Sequence, residues 1–292
     1  MAKDFFETSK AVRELFQQAS EASGIDMKKL MFESDEEALK QTRNTQVALA
    51  LAGLSASLSA REHGILPSGF AGFSVGEWPA LAEAGVISSF DMFRLVSERG
   101  RLMDEAGKRS GGSTMSAVLF LSPEKIEQTI AESGLKNVWV ANYNSPVQCV
   151  ISGTEADIAV AEEKLKAAGA KRVVRLKVSG AFHSPIMSWA SEGFAEFLAD
   201  MVFGDPSPSL ALYSNVTGSR LVSGAQAKAF ASAQIISPVK WIAEEHAIAS
   251  DGFGRCLETG PGTVLAGLWK ASGSAIPCLA GGTLDAIASM SL

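Results

Sequence analysis

The sequence predicts an α/β fold: a larger domain built on a parallel sheet, interrupted by a small β-α-β-β-α-β unit. Three observations carry this. Apolar residues switch repeatedly between helical spacing and short continuous runs, the signature of alternating helices and buried strands. Gly72-Phe73-Ser74-Val75-Gly76 lies between one such run and a helical stretch. A break at Gly111-Gly112-Ser113 is followed by a segment with its own order of elements.

The elements follow in order. Asp4, with Glu7 three residues on, is an N-cap signal, and helical periodicity then runs to about residue 22 with Phe5, Phe6, Val12, Leu15 and Phe16 apolar. Residues 45–63 read as a buried helix rich in Ala and Leu. The run 69–73, bounded by Pro67 and Ser74, suits a buried strand, and helical pattern resumes after Ser74 to about Ala84 and again from Ser89 to about Ala106. After the glycine break come an apolar run (115–121), a helix opened by Ser122-Pro123-Glu124, two strand-like runs (138–142 and 147–152), a helix (155–168) and an alternating strand (171–178). That order is ferredoxin-like. The expected division is therefore a small ferredoxin-like subdomain, 114–178, inserted in a larger domain formed by 1–113 and 179–292.

Composition narrows the function classes. The 292 residues hold 26 Lys+Arg and 32 Asp+Glu, a net charge of 26 − 32 = −6, which argues against a nucleic-acid binder. At 47% apolar and 20% charged the chain is of ordinary globular type. Its longest apolar stretch, Val47 to Leu58, is well under the roughly 18 residues of a membrane span. The first eight residues carry two acids where a secretion signal has a basic region and an apolar core. Cys149, Cys256 and Cys278 are too few and too scattered for a disulfide framework or a zinc site, so a reducing cytoplasmic setting, no metal and no cofactor are expected.

The chemistry centres on Ser74. Small glycines at 72 and 76 permit a tight strand-to-helix turn that pushes the Ser74 hydroxyl into the open, the α/β-hydrolase-like arrangement for the larger domain. The N–H of Val75, at the helix start, can then face a developing oxyanion. Such a serine needs a base. Of three histidines, His63 ends a helix and His246 lies in a charged stretch, both suited to the surface. His183, in Gly180-Ala181-Phe182-His183-Ser184-Pro185, follows the last strand of the insert and is the candidate, although alone it is equally compatible with a structural loop histidine.

Six segments occur together in order: Gly72 to Glu77, Glu98 to Met103, Asn142 to Gln148, Gly180 to Pro185, Gln234 to Trp241, and Glu258 to Gly262. In these the chain resembles the malonyl-CoA:acyl-carrier-protein transacylases of fatty-acid and polyketide synthesis, from the N-terminal helix to about residue 270. The resemblance implies that Ser74 is the acylated nucleophile, His183 its base, and Arg99 the partner of the malonate carboxylate, a task suited to a planar guanidinium. It implies that Phe182 excludes an α-methyl branch, that Met103, Met115 and Asn142 contribute to substrate binding, and that the main-chain carbonyl of Gln234 orients His183. The partners implied are malonyl-CoA and an acyl-carrier protein, with the enzyme a monomer and neither nucleic acid nor membrane involved.

Two departures stand out. Phe73 precedes the nucleophile where the commonest pattern has His. Members also begin with a strand leading into a Gly-Gln-Gly-x-Gln loop whose last Gln donates a second oxyanion N–H. Met1-Ala-Lys-Asp-Phe-Phe resembles the sequence just beyond that loop, so this donor is expected to be missing from the 292 residues. Two other readings compete. A serine hydrolase, a thioesterase or lipase, shares the motif and the order Ser before His, but needs an acid between them and has no use for Arg99. A catalytically silent protein that only binds CoA esters or a carrier protein is the third. Six basic residues, Lys164, Lys166, Lys171, Arg172, Arg175 and Lys177, form the densest positive run, which reads either as a solvated charged face of the small subdomain or as a docking patch for the carrier protein.

Overall fold

The computed structural model describes residues 1–290. The N-terminal helical pattern forms two helices rather than one, α1 (Lys3–Thr8) and α2 (Lys10–Ser23). Ser9 interrupts them. Its backbone is extended, its hydroxyl accepts from the N–H of Val12 to cap α2, and it donates to Glu62 at 2.8 Å. Asp4 is therefore no cap; it lies within α1, and its carboxylate instead accepts from the N–H of Leu284. Two short helices absent from the sequence reading follow, α3 (Met27–Phe32) and α4 (Glu36–Lys40), each opened by an aspartate, Asp26 and Asp35, accepting from a backbone N–H three residues on.

The long helix α5 (Thr42–Glu62) is buried along most of its length. The next strand, β1 (Gly69–Phe70), is shorter than the run 69–73, because only two residues find a ladder partner. Helices α6 (Glu77–Glu83) and α7 (Ser89–Arg109) follow, and α7 packs along α5 and α2. The α5–α7 approach depends on Gly100, where a Cβ would come within 2.8 Å of the Cα of Arg43. Leu51, Met92, Phe93 and Leu95 fill that interface at no more than 1% exposure, each worth about 1.5–3 kcal/mol of burial.

The segment after the glycine break forms a four-stranded antiparallel sheet. Its elements are β2 (Ser113–Leu119), α8 (Pro123–Ser133), β3 (Val138–Ser145), β4 (Gln148–Thr154), α9 (Glu155–Ala167) and β5 (Arg172–Arg175), with strand order β3-β4-β2-β5. Val118, Cys149 and Ile151 pack against Ile126 of α8 and Ile158 and Leu165 of α9 in a core of their own. Met115, Ala141 and Val150 form a separate cluster with Phe182, which ties this sheet to the loop that follows it. Backbone bonds between Ala141, Tyr143 and Val239 add a second tie.

The chain then returns to the larger part through α10 (Ser188–Leu198), β6 (Ala211–Ser214), β7 (Ser219–Arg220), α11 (Gly224–Ala233), α12 (Trp241–Ser250), β8 (Cys256–Glu258), α13 (Val264–Ala271), β9 (Cys278–Ala280) and α14 (Leu284–Ala288). Here β1 pairs with β6 in parallel, β6 with β7 antiparallel, and β8 with β9 in parallel. The fold is mixed α/β. No helix among the described residues is long and apolar enough to cross a membrane.

Replacing Ser9 with Ala removes the cap of α2 and the bond to Glu62, and is expected to destabilise the protein by about 1–2 kcal/mol. A urea melt that leaves the midpoint unchanged would show that the break between α1 and α2 carries no stability.

Candidate active site

The Ser74 turn is set by backbone geometry. After β1 the chain passes through Gly72 and Phe73 into a 3-10 turn at Ser74–Gly76, which runs straight into α6. A Cβ on Gly72 would lie 1.9 Å from the carbonyl oxygen of Gly76, so no side chain fits there. Ser74 has φ +51, a left-handed conformation that a serine adopts only when its surroundings enforce it. The enforcing contacts come from far along the chain. The N–H of Ser74 donates to Asn215 Oδ1 at 2.7 Å, and its carbonyl accepts from Gln234 Nε2 at 3.2 Å. Phe73 packs edge-on against Trp241 with ring centroids 5.5 Å apart. Val75 occupies the first turn, where backbone N–H groups have no partner within the helix.

His183 meets Ser74 from the loop after β5. Its Nε2 lies 2.8 Å from Ser74 Oγ. Its Nδ1 faces two main-chain carbonyls, Gln234 at 2.9 Å and Ser237 at 3.1 Å. Carbonyl oxygens only accept, so Nδ1 carries the proton and Nε2 presents its lone pair to the serine hydroxyl. His183 is 4% exposed, and burial, reinforced by the charge of Arg99, pushes its pKa down to about 4. It is a neutral base throughout the physiological range. Like Ser74 it has a positive φ, +58, and its N–H donates to Ile235 O.

Arg99, on α7, is 1% exposed and not a solvated surface arginine. NH1 donates to Gln46 Oε1 at 2.7 Å, NH2 donates to Gln234 Oε1 at 3.1 Å and reaches Ser74 Oγ at 3.4 Å, and Nε has no partner. Among the described residues Arg99 makes no ion pair. Burial lowers its pKa to about 10, opposed by the field of Glu77. Glu77 itself is buried, accepting from Gln234 Nε2 at 2.6 Å and from the N–H of Asn215 at 3.2 Å, and burial raises its pKa to about 7. The site thus brings together a hydroxyl, an imidazole whose lone pair faces it and, beside them, a buried guanidinium with an unpartnered Nε–H.

The remaining candidate residues fall around this centre. Met103, one turn after Arg99, is buried and its sulfur accepts from Gln46 Nε2 at 3.4 Å. Phe182 packs with Met115 on the face of the small sheet turned to the His183 loop. Asn142 is buried in β3 and bridges to Val239, two residues past Ser237. His63 and His246 are exposed. The sequence reading assigned no role to Gln46, Glu77, Asn215 or Ser237. Glu77 directly follows the motif and Ser237 lies within the segment Gln234 to Trp241, so both are within reach of the sequence; Gln46 and Asn215 carry no local signal. A cavity of 440 Å³ lined by Phe70, Tyr213, Trp241, Phe253, Leu257 and Trp269 does not include Ser74, His183 or Arg99.

Comparison with known proteins agrees with the geometry. Residues 1–272 match the family model of the acyl transferase domain. The malonyl CoA-acyl carrier protein transacylase of Bacillus subtilis is 36% identical over 273 residues, 92% of this chain and 85% of that protein. A polyketide biosynthesis protein of Burkholderia thailandensis, ThaF, is 38% identical over 253 residues, 86% of this chain but 21% of that protein. A malonyl-transacylase solved in complex with a type II polyketide-synthase acyl-carrier protein superimposes with a TM-score of 0.92 at 33% identity, covering 98% of this chain and 93% of that one. The malonyl CoA-acyl carrier protein transacylase of Clostridium perfringens does so with a TM-score of 0.92 at 31% identity, covering 98% and 90%.

Labelling of Ser74 by a serine-reactive fluorophosphonate depends on the neutral form of His183, which is lost as pH falls through about 4. The rate is expected to stay flat from about pH 8 to about pH 5 and to fall below that. An inflection near 6.5, the ordinary histidine value, would show that the buried position of His183 is wrong.

Proposed function

The chain belongs to the acyl transferase domain family, and from that premise we propose that it transfers a malonyl group from malonyl-CoA to the phosphopantetheine thiol of an acyl-carrier protein, in fatty-acid or polyketide synthesis. The observation that carries the reading is the buried, acid-free guanidinium of Arg99, 3.4 Å from Ser74 Oγ. A free carboxylate on the acyl group supplies the anion that this position lacks.

The reaction runs in two half-reactions. His183 Nε2 takes the proton of Ser74 as Oγ attacks the thioester carbonyl, and the Val75 N–H faces the oxyanion. Collapse breaks the carbon–sulfur bond, and the departing CoA thiolate takes the proton from His183. The carrier-protein thiol then gives its proton to His183 and attacks the malonyl ester, and Ser74 leaves with that proton. Phe182 limits bulk at the acyl α-carbon, and Met103, Met115 and Asn142 line the acyl site. The carbonyls of Gln234 and Ser237 orient the imidazole where a hydrolase triad would use a carboxylate, which speaks against the thioesterase or lipase reading. The Ser74–His183 pair at 2.8 Å speaks against a silent binding protein.

In this reading the larger α/β-hydrolase-like domain, 1–113 and 179–292, carries Ser74, Arg99 and His183. The ferredoxin-like subdomain, 114–178, adjoins them through Met115, which packs against Phe182 of the larger domain. Its support is the strand order β3-β4-β2-β5, which is that of a βαββαβ unit with its first and third strands central. The carrier protein docks on the exposed basic residues of α9, of β5 and of the stretches flanking β5. Lys166 and Arg175 are engaged with Glu163 and Glu162, which leaves Lys164, Lys171, Arg172 and Lys177 to supply most of the attraction.

Incubation with malonyl-CoA is expected to add one malonyl group to Ser74, detected by intact mass and absent in Ser74→Ala. Arg99→Ala is expected to weaken malonyl transfer by about 2–5 kcal/mol, while acetyl transfer holds or rises. Equal losses for both acyl groups would make Arg99 structural. Reversing Lys171 and Arg172 to Glu is expected to slow transfer to the carrier protein and spare acylation by malonyl-CoA. The defect should shrink at high salt, as charge steering decays over about 8 Å at physiological ionic strength. A defect equal in both half-reactions would place docking elsewhere.

A further inference from the structure

We propose that Asn215 is the positioning residue of the nucleophile turn, its side-chain amide taking the place of a neighbouring parallel strand for residues 72–74. Asn215 follows the last residue of β6 and is fully buried. Its Oδ1 accepts from the N–H of Ser74 at 2.7 Å, and its Nδ2 donates to the carbonyl of Gly72 at 2.7 Å. In an extended strand the carbonyl of one residue and the N–H two residues later point to the same edge, where a parallel partner bonds both. The β1–β6 ladder ends at Phe70 and Leu212, so no backbone partner reaches that edge at 72–74. One amide supplies the missing acceptor and donor together.

The orientation of that amide is determined. Turning the amide over would set Oδ1 against the Gly72 carbonyl, which only accepts, and Nδ2 against the Ser74 N–H, which only donates; Nδ2 is held further by Glu244 Oε1 at 2.6 Å. The backbone of Asn215 is held as well: its N–H donates to Glu77 Oε2 at 3.2 Å and its carbonyl accepts from the N–H of Lys240 at 3.0 Å. A residue bound at every polar atom is a rigid reference. Against it the left-handed Ser74, with its Oγ 2.8 Å from His183, keeps its place. Without the clamp the strained turn relaxes toward ordinary backbone, and Oγ moves away from Nε2.

This inference rests on Ser74 being the nucleophile and not on which acyl group it carries, so the test reads both separately. Asn215→Ala and Asn215→Asp, which keeps an acceptor for Ser74 N–H but loses the amide donors, are compared with Val12→Ala, a buried change in α2. All are assayed well below their melting temperatures. Fluorophosphonate labelling of Ser74 is expected to slow about 100-fold in Asn215→Ala, less in Asn215→Asp, and not at all in Val12→Ala. Malonyl transfer is expected to lose kcat in parallel, with KM for malonyl-CoA held within about threefold. Should Asn215→Ala not fold, Asn215→Asp against Val12→Ala gives the same comparison. Labelling in the Asn215 variants as fast as in Val12→Ala overturns the proposal. Slowed labelling in an enzyme that never accepts malonyl-CoA would overturn the malonyl reading and leave the clamp standing.

Discussion

A guanidinium withdrawn from water with no acid in contact is the constraint around which the site is arranged. Taking such an ion out of water costs several kcal/mol unless polar groups replace its hydration. Arg99 receives two side-chain carbonyl oxygens, from Gln46 and Gln234, and the more distant field of Glu77. Its charge acts on the neighbours in turn. It helps to keep His183 neutral, and it opposes the burial that pushes the Glu77 carboxyl up to about 7. In the proposed function, the same charge that is expensive to bury in the resting protein is the recognition element for an acyl group bearing a carboxylate.

Gln234 is the residue through which these effects meet. Its side-chain oxygen accepts from Arg99, while its side-chain nitrogen donates to Glu77 and to the carbonyl of Ser74. Its main-chain carbonyl accepts from His183. The proposed nucleophile, base, anion-binding group and buried acid thus share one partner, and a shift of that residue is felt by all four. It lies in the segment between α11 and α12, whose residue Val239 is bonded to β3 of the small sheet, so the site and that sheet are mechanically continuous.

The helical scaffold matters for one reason above the rest: it brings Arg99 inward. Close contact of α7 with α5 at Gly100 places Gln46 and Arg99 opposite each other, and the aliphatic interface around them excludes water. Loosening that interface would hydrate the guanidinium, and with hydration the distinction between a carboxylated and an uncharged acyl group would fade.

Much of the architecture was legible in the sequence, because helical and strand periods, the Ser122-Pro123 helix start and the glycine-flanked serine turn are set by near neighbours in the chain. So the alternation of elements and the Ser74 turn are legible from local pattern, while Arg99, His183 and Gln234 gain their roles only through the resemblance of six ordered segments to a known family. What near neighbours do not decide, the sequence did not reveal. The split of the first helix at Ser9 follows from a bond to Glu62, 53 residues away. The burial of Arg99 follows from Gln46 and Gln234, 53 and 135 residues distant, and the hold on Ser74 follows from Asn215, 141 residues distant. Such pairings have no period, and even where both partners sit in recognisable segments, as Arg99 and Gln234 do, neither segment shows the pairing. Gln46 reads as one more helical residue and Asn215 as a turn residue after a strand, and only when packing removes water from between them do their amides become the cheapest partners for a buried charge and a strained turn.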